Sequence, residues 1–263
     1  MLWLGGACLG GAEIPAMSSA AALGLNTTAA LTANVTGLAA AHAPNTATIP
    51  VPQRAMAYAM RHQFLTNRAK GGGIELLFLG DTLIEQWEGV GRVAWMKYYG
   101  NLKAANFGAF GDRIQNVLWR VQHGEGEGFT PKVIVLLAGL NNTGYERDGV
   151  TPRNTSAEAA EGIAALVTEL RQHFPDGKIL LLGLLPHGDP GTGPRNQVAE
   201  INRAIAKLDD GQHIFYLDLG PSFLDEKGNF RVGVMQGDRT HPTVLGYEVW
   251  AQTMQPLLTK LLK

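Results

Sequence analysis

The chain of 263 residues is 45% hydrophobic and 17% charged, enough apolar material for one sizeable core and too much for a disordered chain. A formal net charge of -1 with no cluster of Lys or Arg provides no basic field for a polyanion, so nucleic acid is excluded as an expected partner. Cys8 is the one cysteine, which excludes an intrachain disulfide and a cysteine-based zinc site.

Residues 1–53 carry Glu13 as their only Asp, Glu, Lys or Arg and are dominated by Ala, Thr, Asn and Gly. They read as a leader and linker, disordered or cleaved, with the folded domain at 54–263. The apolar run "MLWLGGACLGGA" is too short for a stable membrane span, and "AHA" at Ala41 to Ala43 resembles a small-residue cleavage site. Export to the periplasm or beyond is therefore the expected localisation, although a basic segment before the apolar run is missing; a cytoplasmic location is the alternative. Gly5 stands where a lipoprotein signal would place leucine, so Cys8 reads as inert. "PNTATIPVPQ", Pro44 to Gln53, reads as an extended Pro-rich linker.

From Arg54 onward, apolar strands alternate with amphipathic stretches of helical length, which predicts a parallel sheet covered by helices on both faces. Five strands are predicted: 75–79, 104–107, 133–138, 178–183 and 214–217. The third and fourth, "VIVLLA" and "KILLLG", are apolar almost throughout, as strands buried on both faces require. Helices are predicted at 83–99, 113–123, 156–173, 196–208 and 243–262. The third of these is capped by Thr155 or Ser156 and buries Ile163, Leu166, Val167 and Leu170. Pro256 removes one hydrogen-bond donor from the last helix and predicts a kink or break there. "GGG" at 71–73 precedes a strand instead of following one, so it reads as an entry turn and not as a phosphate loop.

In open parallel sheets the ligand crevice lies beyond the carboxyl ends of the strands. There the chain places "GDT" at 80–82, "GAFGD" at 108–112, "GLNN" at 139–142 and, after the last strand, "GDRTH" at 237–241. Acyl transfer needs a hydroxyl nucleophile, an imidazole base, a carboxylate to orient it and N–H donors for the oxyanion. Thr82, His241 and Asp238 supply the first three; Asn141 offers a side-chain amide and Gly111 a backbone N–H with no Cβ in the way. Each also has a plainer reading. Thr82 with Glu85 forms a helix capping box, His241 is a loop histidine, Asn141 is a turn former, Asp238 caps a turn, and Gly108 and Gly111 serve tight turns. The joint arrangement at one sheet rim favours chemistry.

"LFLGDTL", "NFGAFGDR", "LLAGLNN" and "GDRTHP" resemble, in order, the four blocks of the GDSL or SGNH esterase family. The resemblance covers residues 54–263. "NFGAFGDRIQNVLWRVQHGE", "PKVIVLLAGLNN" and "LLGLLPHGDP" are similar to the branch that holds the catalytic subunits of platelet-activating-factor acetylhydrolase. It implies an α/β, three-layer flavodoxin-like fold with a five-stranded parallel sheet in the order 2-1-3-4-5, and no metal or other cofactor. It also implies roles: Thr82 as nucleophile, Asp238 and His241 completing a triad, and Thr82, Gly111 and Asn141 forming the oxyanion hole. The family's nucleophile is serine, so threonine is a departure at the centre of the site.

The expected activity is ester hydrolysis of small acyl groups, acetyl above all, on a sugar or lipid alcohol. A binding protein that kept the fold after losing its serine is the alternative. Metal-dependent phosphoryl transfer through Asp81, Asp112 and Asp238 is disfavoured, because Leu83 stands where a second carboxylate would be needed. Asp81, His187 and Arg195 are the candidate substrate contacts, the last two on the Gly/Pro-rich loop 186–196. Trp87, Trp95, Trp119 and Trp250 read as packing residues. A homodimer stays a candidate assembly.

Overall fold

The computed structural model describes residues 43–263; the expected leader lies outside the described residues. Five strands form one parallel sheet, β1 (Leu76–Gly80), β2 (Ala104–Gly108), β3 (Val133–Leu137), β4 (Lys178–Leu182) and β5 (Ile214–Leu217), in the order β2-β1-β3-β4-β5. Each strand lies within one or two residues of its predicted span. All five residues of β1 and of β3 are buried, which is why an unbroken apolar run marked them.

Helices connect the strands: α1 (Met56–Lys70) leads into β1; α2 (Thr82–Glu85) and α3 (Arg92–Tyr98) join β1 to β2; α4 (Ile114–Arg120), α5 (Ser156–His173) and α6 (Gly193–Ile205) follow β2, β3 and β4. The short α7 (Gly220–Phe223) and the long α8 (Val244–Leu262) complete the chain. Parallel crossovers are right-handed, so reversing direction after β2 puts α3 on one face of the sheet and α4, α5 and α6 on the other. The contacts agree: α4 packs on α5, α5 on α6, and α3 on α8. The reversal leaves a switch point between β1 and β3, at the carboxyl end of β1.

Thr155 caps α5 through a reciprocal box with Glu158, and Ile163, Leu166, Val167 and Leu170 are all buried as predicted. On the other face Trp87 and Trp250 are fully buried, with Trp87 4.7 Å from the Tyr247 ring and 5.3 Å from that of Trp250. Trp95 packs 5.0 Å from Phe78 in the same cluster. These are core aromatics, not a sugar platform.

Four expectations are corrected. Helix 83–99 is broken into α2, a 3-10 turn at Gln86–Glu88 and α3, because Gly89 takes a non-helical conformation (φ -107, ψ -104). The helix α1 was unpredicted: Met56, Met60 and Phe64 face solvent while only Tyr58, Leu65 and Ala69 are buried, so no apolar stripe announces it. Pro256 does not break α8; it sits exposed, where the unpaired carbonyl it leaves can reach water. The segment 44–53 is not a free linker. Asn45 caps a 3-10 turn at Thr46–Thr48 and donates to Glu158 O, Ala47 is fully buried, and Val51 N–H donates to Gln115 O. Its polar and Pro-rich composition hid those anchors. Among the described residues, no helix is long and apolar enough to cross a membrane.

Candidate active site

At the switch point the chain must turn from β1 into α2 with little room. A Cβ at Gly80 would meet Leu137 O at 1.8 Å, and one at Gly108 would meet Glu85 N at 2.1 Å, so glycines let α2 lie directly on the strand ends. Asp81, not Thr82, caps α2: its Oδ1 accepts from Leu83 N–H at 2.9 Å. The capping box expected between Thr82 and Glu85 is therefore absent. Tyr247 Oη donates to Leu83 O at 2.8 Å, and Asn106 Nδ2 to Ile84 O at 2.8 Å, pinning α2 from two sides. Freed from capping, the Thr82 side chain turns to the cleft, where it is 7% exposed.

Gly111 holds φ at +72°, a conformation that favours glycine, and its N–H donates to Thr82 Oγ1 at 2.8 Å. The two residues are thus brought together as the sequence suggests. The Asn141 Nδ2 donates to Asp112 O at 2.8 Å, which fixes the amide beside the same loop and leaves its second hydrogen for another acceptor. Its neighbour Asn142 is fully buried and structural, accepting from Ile114 N–H and donating to Gln115 and Asn154.

The third contribution comes from the loop before α8. His241 Nδ1 lies 2.6 Å from Asp238 Oδ2, and Asp238 Oδ1 accepts from the N–H groups of Thr240 and His241. Burial pushes the Asp238 carboxyl up, but the His241 N–H, its ring and the Thr240 N–H outweigh that and hold it below the usual carboxylate range. Asp238 is thus held ionised, with Nδ1 of His241 turned to it. Thr82, Phe110 and His241 line two adjoining cavities, one of about 660 Å³ and one of about 290 Å³. Among the described residues no hydrogen bond joins Thr82 to His241; Oγ1 rests on the Gly111 N–H.

The three expected substrate contacts fall elsewhere. Asp81 is 1% exposed, its Oδ2 meets no hydrogen-bond partner, and burial raises its pKa to about 7. His187 is half-buried and hydrogen-bonds Thr240 Oγ1 through Nδ1 at 3.0 Å, bracing the histidine loop; burial holds its pKa low. Arg195 lines neither cavity at Thr82: it donates to Gly188 O and Gly228 O and lies 4.8 Å over the Phe230 ring. Instead the larger cavity is lined by Gln53, Arg113, Glu146, Arg147 and Arg153. Arg113 and Glu146 form a two-pronged ion pair at 2.7 Å, and Arg153 donates to Asn141 O at 3.0 Å. Arg113 stands inside the block "NFGAFGDR", which was the one signal pointing to it; loop arginines otherwise leave no pattern. The three aspartates of the disfavoured metal reading are each engaged elsewhere: Asp112 is bound by Arg120, Asp81 caps α2 and Asp238 contacts the His241 ring. Among the described residues no group of three or more His, Cys, Asp or Glu gathers to hold a metal.

The buried Asp81 carries a stability prediction. A carboxyl with its folded pKa near 7 and an unfolded value near 3.8 prefers to be protonated in the fold. Its contribution is intact below about pH 4 and is lost as the pH rises through about 7. Asp81→Asn keeps the cap acceptor and cannot ionise, so it is expected to flatten the fall in stability over that window, by an amount on the order of a few kcal/mol. Thermal melts of both proteins across the window, followed by circular dichroism, check this.

Comparison with known proteins gives a consistent answer. The model of the GDSL-like lipase/acylhydrolase family matches residues 78–249. The chain is 31% identical over 208 residues to human platelet-activating factor acetylhydrolase IB subunit alpha1, covering 78% of this chain and 83% of that protein. It is 33% identical over 193 residues to the rat alpha2 subunit, covering 72% and 78%. Among solved structures, a GDSL-like lipase from Bacteroides thetaiotaomicron superposes with a TM-score of 0.58 at 18% identity, over 78% of this chain and 96% of that one. An acetylxylan esterase from Geobacillus stearothermophilus does so with a TM-score of 0.58 at 17% identity, over 73% and 96%. The last two show the shared fold.

Proposed function

Because the chain belongs to the GDSL-like lipase/acylhydrolase family, we propose that it hydrolyses short acyl esters, acetyl esters first, of a polar alcohol, with Thr82 as nucleophile. The observation that carries this reading is the convergence of Thr82 Oγ1, the Gly111 N–H, the Asn141 amide and the Asp238–His241 pair on one cleft. The reaction proceeds in two halves. Thr82 Oγ1 attacks the ester carbonyl carbon while His241 Nε2 takes its proton, and the carbonyl electron pair moves onto oxygen. That oxyanion takes hydrogen bonds from Gly111 N–H, the second Asn141 Nδ2 hydrogen and Thr82 N–H. The carbon–alkoxide bond then breaks, and His241 returns the proton to the departing alcohol. Water, deprotonated by His241, attacks the acyl carbon; the acid leaves and Oγ1 regains its proton.

Substrate choice follows from the two cavities. The smaller, walled by Val90, Phe110, Pro242 and Tyr247, has room for a short acyl chain, and the larger, with three arginines and Gln53, suits a hydroxyl-rich or charged alcohol. A sugar or the polar head of a lipid fits that description. The names of the relatives, an acetylhydrolase and an acetylxylan esterase, point to the same acyl group.

The test is capture of the intermediate. Acid quenching during turnover of p-nitrophenyl acetate, followed by peptide mass analysis, is expected to find one acetyl group on the peptide that holds Thr82. An adduct elsewhere, or none in wild type while product accumulates, overturns the reading. Asn141→Ala is expected to lower kcat on the order of 100-fold with KM changed far less, because the lost hydrogen bond strengthens only as charge reaches the carbonyl oxygen. Steady-state kinetics on the same ester measure it. A second reading, a binding protein on this fold, draws on one observation: Oγ1 rests on the oxyanion donor and not on His241.

A further inference from the structure

Behind the cleft lies a buried cluster of charge that the acyl-transfer chemistry does not itself use. Arg120, the last residue of α4, is completely buried, as are its ion-pair partners Asp112 and Glu125. Its Nε donates to Asp112 Oδ2 at 2.8 Å, and its Nη1 to Glu125 Oε2. Its Nη2 donates to two backbone carbonyls, Gly80 O at 3.0 Å and Phe107 O at 3.1 Å. On the outer side His62 Nδ1 lies 2.7 Å from Glu125 Oε1, and Gln53 Nε2 donates to Asp112 Oδ1 at 2.6 Å.

The acceptors are the informative part. Gly80 ends β1 two residues before Thr82, Phe107 lies in β2 four residues before Gly111, and Asp112 follows Gly111 directly. Asp112 also presents the carbonyl that holds the Asn141 amide. One guanidinium therefore touches the backbone behind the nucleophile and the loop that carries one oxyanion donor and orients another. We infer that Arg120 is a positioning residue, a buried clamp that sets the spacing between the Thr82 turn and the oxyanion loop.

The physical argument is one of geometry against cost. Removing guanidinium and carboxylates from water is expensive, and apolar packing of the same volume often stabilises a fold equally well or better. The position demands something packing cannot supply: a planar group that reaches four acceptors in fixed directions at once. Lysine has a single charged atom on a flexible stem and cannot span them. Catalysis is sensitive to this spacing, since a displacement of about 1 Å can cost on the order of 100-fold in rate. The inference rests on the acyl-transfer reading for its kinetic consequence, whereas its structural part stands without it.

The test compares full-length Arg120→Lys with Leu166→Ala, which removes a fully buried α5 side chain outside the site and serves as a control for lost stability. Arg120→Lys is expected to lower kcat on p-nitrophenyl acetate on the order of 30- to 100-fold with KM within about threefold. Leu166→Ala keeps kcat within about twofold per folded molecule, whatever its melting temperature. Amide exchange by mass spectrometry is expected to speed up selectively in segments 80–83 and 107–112 of Arg120→Lys, and not in the control. If Arg120→Lys fails to fold, Asp112→Asn, which keeps the shape and withdraws the carboxylate, takes its place with the same readouts. Unchanged kcat, a loss matched by the control, or a uniform rise in exchange overturns the inference. If wild type turns over no ester, the acyl-transfer reading fails, and the exchange comparison alone decides whether Arg120 holds the two segments.

Discussion

Thr82→Ala is expected to lower kcat for p-nitrophenyl acetate by at least about 1,000-fold, down to the residual rate of a cleft that keeps its oxyanion donors and its base. The substitution removes Oγ1 and the methyl group together, while Asp81 continues to cap α2 and Tyr247 and Asn106 continue to hold it. The fold of the turn is thus independent of the side chain under test. Thr82→Ser is expected to move the other way and raise kcat by about 10- to 100-fold. In the resting structure Oγ1 accepts from the Gly111 N–H and makes no bond to His241. Any change of χ1 that brings Oγ1 closer to His241 makes a β-branched side chain carry its methyl through the same arc, against the walls of a site where it is 7% exposed. Serine rotates without that passenger. Initial rates of the three proteins, at equal folded concentration, decide the matter. Equal rates for wild type and Thr82→Ala remove Thr82 from the chemistry and leave the binding-protein reading, in which only the serine variant turns over.

The parts of this molecule that the sequence announced share one property: their signal is local in the chain. The apolar runs of β1, β3 and β4 are bounded by glycine or by turn residues, and burial on both faces makes the run continuous. Asp238 and His241 lie three residues apart, close enough that one turn aligns carboxylate and ring. Thr155 and Glu158 mark the start of α5 in the same way. What stayed hidden depends on residues distant in the chain. Arg120 lies within the helix expected at 113–123 with nothing local to single it out, and only the fold shows it buried beneath β1 and β2. Arg113, Glu146 and Arg153 sit in loops, where no period links charge to position. Residues 44–53 looked like a linker because few of them are apolar, yet Ala47 and the Asn45 and Val51 hydrogen bonds fasten them to α4 and α5. Arg195 shows the reverse error: a polar residue on the expected loop, its Nη1 and Nη2 held by backbone carbonyls and its side chain outside the cleft.

The second large effect belongs to the histidine. His241→Ala is expected to reduce kcat by about as much as Thr82→Ala, and the double variant to be no slower than either, because nucleophile and base act on one proton and losing either ends the same step. Asp238→Asn is expected to cost up to about 10,000-fold if the amide presents the wrong partner to Nδ1 and the ring settles in the unproductive tautomer. The geometry makes that outcome specific to this loop. Asp238 Oδ1 is already committed to the N–H groups of Thr240 and His241, so an asparagine must keep its oxygen there and turn its NH2 toward Nδ1. Nδ1 then becomes an acceptor, the proton moves to Nε2, and the nitrogen proposed to act as base toward Thr82 can no longer take one. The loop itself stays folded, because its backbone bonds to Gln236 and the brace from His187 remain. Kinetics of the four variants, with melting temperatures beside them, check the pattern: a large loss in kcat with an unchanged melting point for Asp238→Asn, and a double variant that adds nothing. Multiplicative losses in the double variant would mean that Thr82 and His241 serve separate steps.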